Sequence, residues 1–524
     1  MLRLLYIKSK NHHNMLKIKE LLFSFLLIFS YPMIFIAQDC ADKVTAKSVE
    51  QPDTTQSTTL YNEAVRRLAN DSALQHGQVG IVVLDVSTGQ ILAAQNPTVS
   101  LIPASNMKIV STAAGLGILG NDFQFRTELQ YDGSIRDSVL YGNIIIKGYG
   151  DPTLASPLMD GVPSMSVVLD SFTSEIRRLG IKRIVGKIVG DGSAYENGTA
   201  VPTWLWEDLG NAYGSGPSGL NFHENLYELT FQQNKDVGTH PSVFSVSPYI
   251  PVFQFINEVK SIVGGGDDAY IYATPNSTTG YIRGTIPTGT GLFKINGALP
   301  DPPLFAAWHL RKNLILQGIE VTDSATTQMV LEQQSIPLFY RTTFFTWLSP
   351  KLSDIVNKAN HESVNLYCEA ILRAIGLKQT GVGSNEEGIK SIVRFWQTKG
   401  IDTEGLFMQD GSGLSPRNGI TPLQLASMLR SVALDNQTFT PFYSSLPEAG
   451  KSGTLKNMFK TNPSVSSRLR AKSGTITRVK SYSGYVTTSE GKLLAFSAIC
   501  NNFTCSQRDI RKKLEQFMVD ICQY

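Results

Sequence analysis

Residues 101–120 read "LIPASNMKIVSTAAGLGILG", an apolar run at helical spacing with Pro103 suited to a first helical turn. Within it Ser105 and Lys108 stand three residues apart at the helix start, so both side chains share one face. A serine hydroxyl is inert until a base takes its proton, and a neutral lysine amine within reach can do so. The helix N-terminus also offers unpaired N–H groups to a developing oxyanion. Alone, the pair says little. About two Ser-x-x-Lys pairs are expected by chance in a chain of this length. A second does occur, Ser489 to Lys492, but at a Gly-containing hairpin turn where no helix aligns the two side chains.

Two further segments give the first its context. "HESVNLYCEAILR" (361–373) places Ser363-x-Asn365 at the mouth of an apolar helix. "AGKSGTLKNMFKTNPSVSSRLRAKSGTITRVKSYSGYV" (449–486) contains KSGT twice, at Lys451–Thr454 and at Lys472–Thr475. The order Ser-x-x-Lys, Ser-x-Asn, Lys-Ser/Thr-Gly is that of penicillin-binding proteins and serine β-lactamases. With the flanks "PASNMKIVSTAAGL", "GYGDPTL", "DGSGLSPRNGITP" and "SGYV", the chain from about residue 60 to its C-terminus resembles the D-alanyl-D-alanine carboxypeptidase/endopeptidase family of the penicillin-binding protein 4 type, peptidase family S13. The resemblance implies an α/β fold: a transpeptidase-like domain interrupted, between the first and second motifs, by inserted domains.

The third motif of that fold must lie on an edge strand, where the strand can pair with substrate backbone. After Lys472 the chain reads strand, turn, strand; after Lys451 comes "LKNMFK", helix-like and without a strand partner. The second copy is therefore taken as the motif and the first as structural loop. A phosphate-binding loop ending in "AGKS" fails, because Ser445 occupies its first glycine position. The motif is KSG instead of the commoner KTG, which keeps the hydroxyl and loses a methyl.

Composition agrees with this organisation. "GQVGIVVLDVSTGQILAAQNP" (77–97) is a hairpin, and "SYSGYVTTSEGKLLAFSAICNN" (481–502) is a second one, turning at Ser-Glu-Gly-Lys before an amphipathic C-terminal helix. The middle is mostly short strands broken by Gly, Pro and Asn, and helical character returns over 348–376 and 386–400. The expected layout is a catalytic domain from 50–125 and 338–524, with a β-rich insertion of one or two domains over 126–337, one nested in the other. Residues 1–37 read as a signal peptide, with "MLKIKELLFSFLLIFSYPMIFIA" from Met15 as the alternative start; an uncleaved anchor is the competing reading. Export to the periplasm follows from the signal reading. The leader carries five Lys/Arg and one Glu, and the rest of the chain 42 basic and 43 acidic residues, leaving no electrostatic footprint for nucleic acid.

Five cysteines (40, 368, 500, 505, 522) imply no dense disulfide framework, although Cys500 and Cys505 are near enough in sequence to bridge. Cys368, in apolar "NLYCEAIL", reads as a core residue. The histidines show no metal-ligand spacing, so neither metal nor cofactor is expected. No G-x-S-x-G elbow supports a Ser-His-Asp hydrolase, and His361 is read as a helix-start neighbour of Ser363. A β-lactamase shares the chemistry but lacks a long insertion, and a non-catalytic cell-wall binding protein shares the fold only.

The resemblance implies roles for individual residues. Ser105 is the nucleophile, Lys108 its base, and Ser363 a proton relay. Asn365 positions the peptide, Lys472 with Ser473, Gly474 and Thr475 receives the substrate carboxylate, and the backbone N–H groups of Ser105 and Thr475 hold the oxyanion. The expected partners are peptidoglycan stem peptides and, as covalent inhibitors, β-lactams; the sequence carries no signal for oligomeric state. Asp151 in "GYGDPTL" has two readings, ordinary turn chemistry or a partner for the free amine of the stem peptide's diamino acid.

Overall fold

The computed structural model describes residues 54–337 and 339–523, so the signal peptide read over 1–37 lies outside the described residues. A helix, α1 (Thr54–Ala69), precedes the hairpin β1 (Gln78–Asp85) and β2 (Ile91–Gln95), and α2 (Met107–Leu119) follows. The chain then leaves for some 230 residues before α3 (Leu352–His361) and α4 (Asn365–Thr380). It ends in β3 (Leu469–Ile476), β4 (Val479–Thr487), β5 (Leu493–Asn501) and α5 (Gln507–Gln523).

One antiparallel sheet, ordered β3-β4-β5-β1-β2, joins the two ends of the chain. The apolar run in β1 is explained by burial on both faces. Val82 and Leu84 pack toward α2, α3 and α4, while Ile81 and Val83 pack toward α1 and α5. Eleven of the thirteen residues of α2 are buried, which accounts for a helix apolar almost all round. The sheet's free edge is β3, and its first half is covered, with Ala471 N donating to Pro447 O at 3.0 Å and Glu448 bridging Arg470. The KSGT half stays open.

Between α2 and α3 lies a second assembly. Strands Arg126–Asp132, Ile144–Gly148 and Ile188–Asp191 are adjacent in a five-stranded sheet covered by helices Met165–Arg178 and Pro302–Leu316. Fifteen strands and three α-helices lie between Arg126 and Gln333, the β-rich stretch expected. Two smaller sheets, from strands between Leu226 and Ala298, lie inside its chain path. Its last long strand, Arg341–Leu348, pairs with Arg126–Asp132, so the sheet runs on past residue 337.

Among the described residues, no helix is long and apolar enough to cross a membrane. Cys368, Cys500, Cys505 and Cys522 are all free. The contemplated Cys500–Cys505 bridge is absent: Cys500 points into the core beneath the sheet, and Cys505 lies partly exposed beyond the strand's end.

Candidate active site

Ser105 lies in a single 3-10 turn, Ala104–Asn106, that runs directly into α2. Two glycines let other chain segments close on this turn. A Cβ on Gly474 would stand 2.5 Å from Pro103 O and 3.0 Å from Ser105 N. A Cβ on Gly413, where φ is +82°, would stand 1.8 Å from Ala104 O. Larger residues would push β3 and the "DGSG" loop off the serine.

Lys108 is wholly buried one turn into the helix. Its Nζ makes three contacts: Ser105 Oγ at 3.0 Å, Asn365 Oδ1 at 2.5 Å and Ser412 O at 2.8 Å. The Asn365 amide is oriented by its other end, since Nδ2 donates to Tyr213 O at 2.7 Å. Burial holds the Lys108 amine below the usual lysine range, against the opposing pull of nearby Asp410 and Glu369. A neutral amine has two N–H groups and one lone pair. Asn365 Oδ1 and Ser412 O can only accept, so they take the two N–H groups. The lone pair is left facing Ser105 Oγ, the one contact with a proton to give. In that neutral form the amine is placed to accept a hydrogen bond from Ser105 Oγ.

Ser363 occupies the break between α3 and α4 at φ +59°, a left-handed conformation that turns the chain between the helices. It therefore follows α3, and His361 closes that helix instead of opening α4. Lys472 Nζ donates to Ser363 Oγ and to Ser473 O, both at 2.9 Å, and Lys472 is wholly buried. Burial, with Lys108 close by, holds its amine well below the usual range. Lys472 thus faces Ser363. Ser473 Oγ is also engaged, donating to Thr454 Oγ1 at 2.8 Å. Thr475 alone among the motif's side chains is exposed. The first KSGT copy touches the second and its neighbours. Its Thr454 holds Ser473, its Gly453 packs on the backbone of His361, and its Lys451 points outward to pair with Glu448 at 2.5 Å.

Several partners carry no motif of their own. Glu369, one turn along α4 from Asn365, accepts from Gly411 N at 3.1 Å and Ser412 N at 2.7 Å, and the next N–H, Gly413 N of the peptide whose carbonyl meets Lys108, donates to Asp410 Oδ1 at 2.8 Å. Burial, with Asp410 beside it, pushes the Glu369 carboxyl up to about 7. Asp410 accepts from Trp204 Nε1 at 2.8 Å, which ties the second assembly to the loop. Backbone acceptors such as Ser412 O and Tyr213 O leave no side-chain signature to read; the acidic and glycine letters of "DGSG" were the available signal.

Asp151 is not among these groups. It is 2% exposed, and its Oδ1 accepts from Thr153 N at 2.8 Å and Thr153 Oγ1 at 2.7 Å, the turn chemistry of one reading. Its Oδ2 is buried with no hydrogen-bond partner among the described residues. Burial pushes its carboxyl up to about 6.

The sheet between helical layers, together with a serine, two buried lysines and an asparagine at its edge, defines a serine-type enzyme of the penicillin-binding-protein/β-lactamase-like fold. The D-Ala-D-Ala carboxypeptidase 3 (S13) family matches residues 61–521, and the chain belongs to that family. It is 28% identical over 468 residues to a D-alanyl-D-alanine carboxypeptidase of Actinomadura sp. (strain R39), covering 84% of this chain and 81% of the relative. Identity to the D-alanyl-D-alanine carboxypeptidase DacB of Haemophilus influenzae is 24% over 438 residues, covering 83% and 88%. The crystal structure of penicillin binding protein 4 from Haemophilus influenzae has the same fold, with a TM-score of 0.74 over 88% of this chain and 99% of that one at 22% identity.

Proposed function

We propose that this D-Ala-D-Ala carboxypeptidase works by acyl transfer through Ser105 on peptidoglycan stem peptides. Lys108 takes the Oγ proton as Oγ attacks the penultimate D-alanyl carbonyl, and the N–H groups of Ser105 and Thr475 hold the oxyanion. Ser363, hydrogen-bonded to Lys472, passes a proton to the amine of the departing D-alanine. Asn365 orients the peptide, and water then hydrolyses the ester on Ser105. The observation that carries this reading is the position of Lys108 Nζ, 3.0 Å from Ser105 Oγ, with two acceptors, Asn365 Oδ1 and Ser412 O, as its other contacts.

The same site would open D-alanyl cross-links, where the leaving amine belongs to a neighbouring strand. It would also trap penicillins as the ester; a β-lactam complex of the Haemophilus influenzae relative is known. Export to the periplasm, through the leader at residues 1–37, places the enzyme with its substrate. We also propose residues 126–337 as inserted domains that frame the cleft.

Asp151 fits the diamino acid's amine through its unpartnered Oδ2. Purified protein is expected to release D-alanine from a pentapeptide ending in D-Ala-D-Ala, and to split a cross-linked dimer if it is also an endopeptidase. Asp151→Asn is expected to lower kcat/KM several-fold for peptides bearing the free amine, and not for peptides lacking it. The carboxyl pairs only when ionised, so the preference for the amine is expected to fade as pH drops below about 6. Equal losses on both peptides would make Asp151 structural, and failure to release D-alanine would refute the substrate assignment.

A further inference from the structure

Neither buried lysine of the site presents its amine at the open edge of the sheet. Lys472 is wholly buried and engaged with Ser363, and Lys108 faces Ser105. The open part of the edge strand presents Thr475. Directly opposite it in the ladder, on β4, stands Lys480. Lys480 Nζ donates to Thr475 Oγ1 at 2.5 Å. No carboxylate of the described residues lies within ion-pair distance of it, whereas sixteen other lysine and arginine side chains make such pairs. Its Nζ lies over the Tyr482 ring, 5.4 Å from the centroid.

Because Thr475 Oγ1 accepts from Lys480, its own hydrogen is free to point outward. A carboxylate placed over Thr475 would take that hydrogen and meet the ammonium behind it, a charge-assisted pair at the open edge. Thr475, Ile476, Thr477 and Arg478 continue from this point as one wall of a surface groove. Burial and the positive charge of Arg511 bring the Lys480 amine down to about 8, which leaves it mostly charged at neutral pH.

We propose that Lys480 is a specificity-determining residue, the cation that receives the C-terminal carboxylate of the scissile D-Ala-D-Ala with Thr475 as intermediary. This rests on the acyl-transfer reading above. It separates a carboxypeptidase substrate, which ends in a carboxylate, from the same peptide with a neutral end.

The test compares two peptides that differ only in ending as D-Ala-D-Ala carboxylate or carboxamide. Wild type is expected to favour the carboxylate, and Lys480→Met to reduce that preference in kcat/KM by about 10- to 100-fold. Lys480→Arg, which keeps a cation, is expected to retain most of it; Lys480→Gln gives a second neutral variant should the methionine protein fold poorly. An unchanged preference in both neutral variants, or no preference in wild type, overturns the proposal. Failure of wild type to cleave either peptide would instead refute the underlying function, and the proposal with it.

Discussion

Lys108→Met is expected to slow acylation of Ser105 by about 10²–10⁴-fold, the usual loss when a positioned general base is removed. Methionine fills nearly the same volume in a fully buried site, so the loss should come without unfolding. A lysine at its ordinary pKa would be neutral in only about 10⁻³ of molecules at pH 7. Burial changes that. Lys108 is the base only when deprotonated, so kcat/KM should rise with pH through its depressed pKa and level off above it. The rising limb should therefore lie to the acid side of an ordinary lysine. A profile that keeps climbing toward pH 10.5 would mean that Lys108 is not held neutral.

The two KSGT copies set up the second large effect. Lys472→Met is expected to reduce D-alanine release by about 10²–10⁴-fold, because it removes the donor that holds Ser363 Oγ at 2.9 Å. Lys451→Met should leave turnover within about two- to three-fold of normal, since that side chain makes an exposed pair with Glu448, worth at most about 1 kcal/mol. Steady-state rates and melting temperatures measured on both variants decide the matter. A large loss in Lys451→Met with little change in Lys472→Met would assign the motif to the other copy. Thr454 is the one residue of the first copy whose loss should be felt at the site, through Ser473.

How much of this was legible beforehand depends on whether the information is local. Ser105 and Lys108 declare themselves because one helical turn brings them together, and Ser363 with Asn365 because they flank a helix start. Residue types and spacing carry both. Placing Lys472 on an edge strand followed from the strand-turn-strand pattern after it, and the sheet has β3 at its edge. Where Lys472 points was not legible. That depends on Ser363 lying across the cleft, a contact between residues 109 positions apart in sequence. Lys480 passed unremarked for the same reason, as its meaning appears only once the ladder sets it against Thr475.

The middle of the chain reads as β-rich because Gly, Pro and Asn punctuate it so often, and fifteen strands lie between Arg126 and Thr327. Val168, Leu169, Phe172 and Ile176, all buried in the helix Met165–Arg178, carry a helical period within it. At Asp151 the turn signal does not reveal that one oxygen of the same carboxylate has no hydrogen-bond partner among the described residues.

The central claim is that Ser105, and no other serine, becomes the acyl carrier. Intact-mass spectrometry of the protein after a penicillin, followed by peptide mapping, tests it most directly. The account predicts a single adduct of one penicillin per chain, on the peptide containing Ser105, and none on the Ser105→Ala variant. An adduct mapped to Ser363, Ser412 or Ser473, or one that persists on Ser105→Ala, would contradict it.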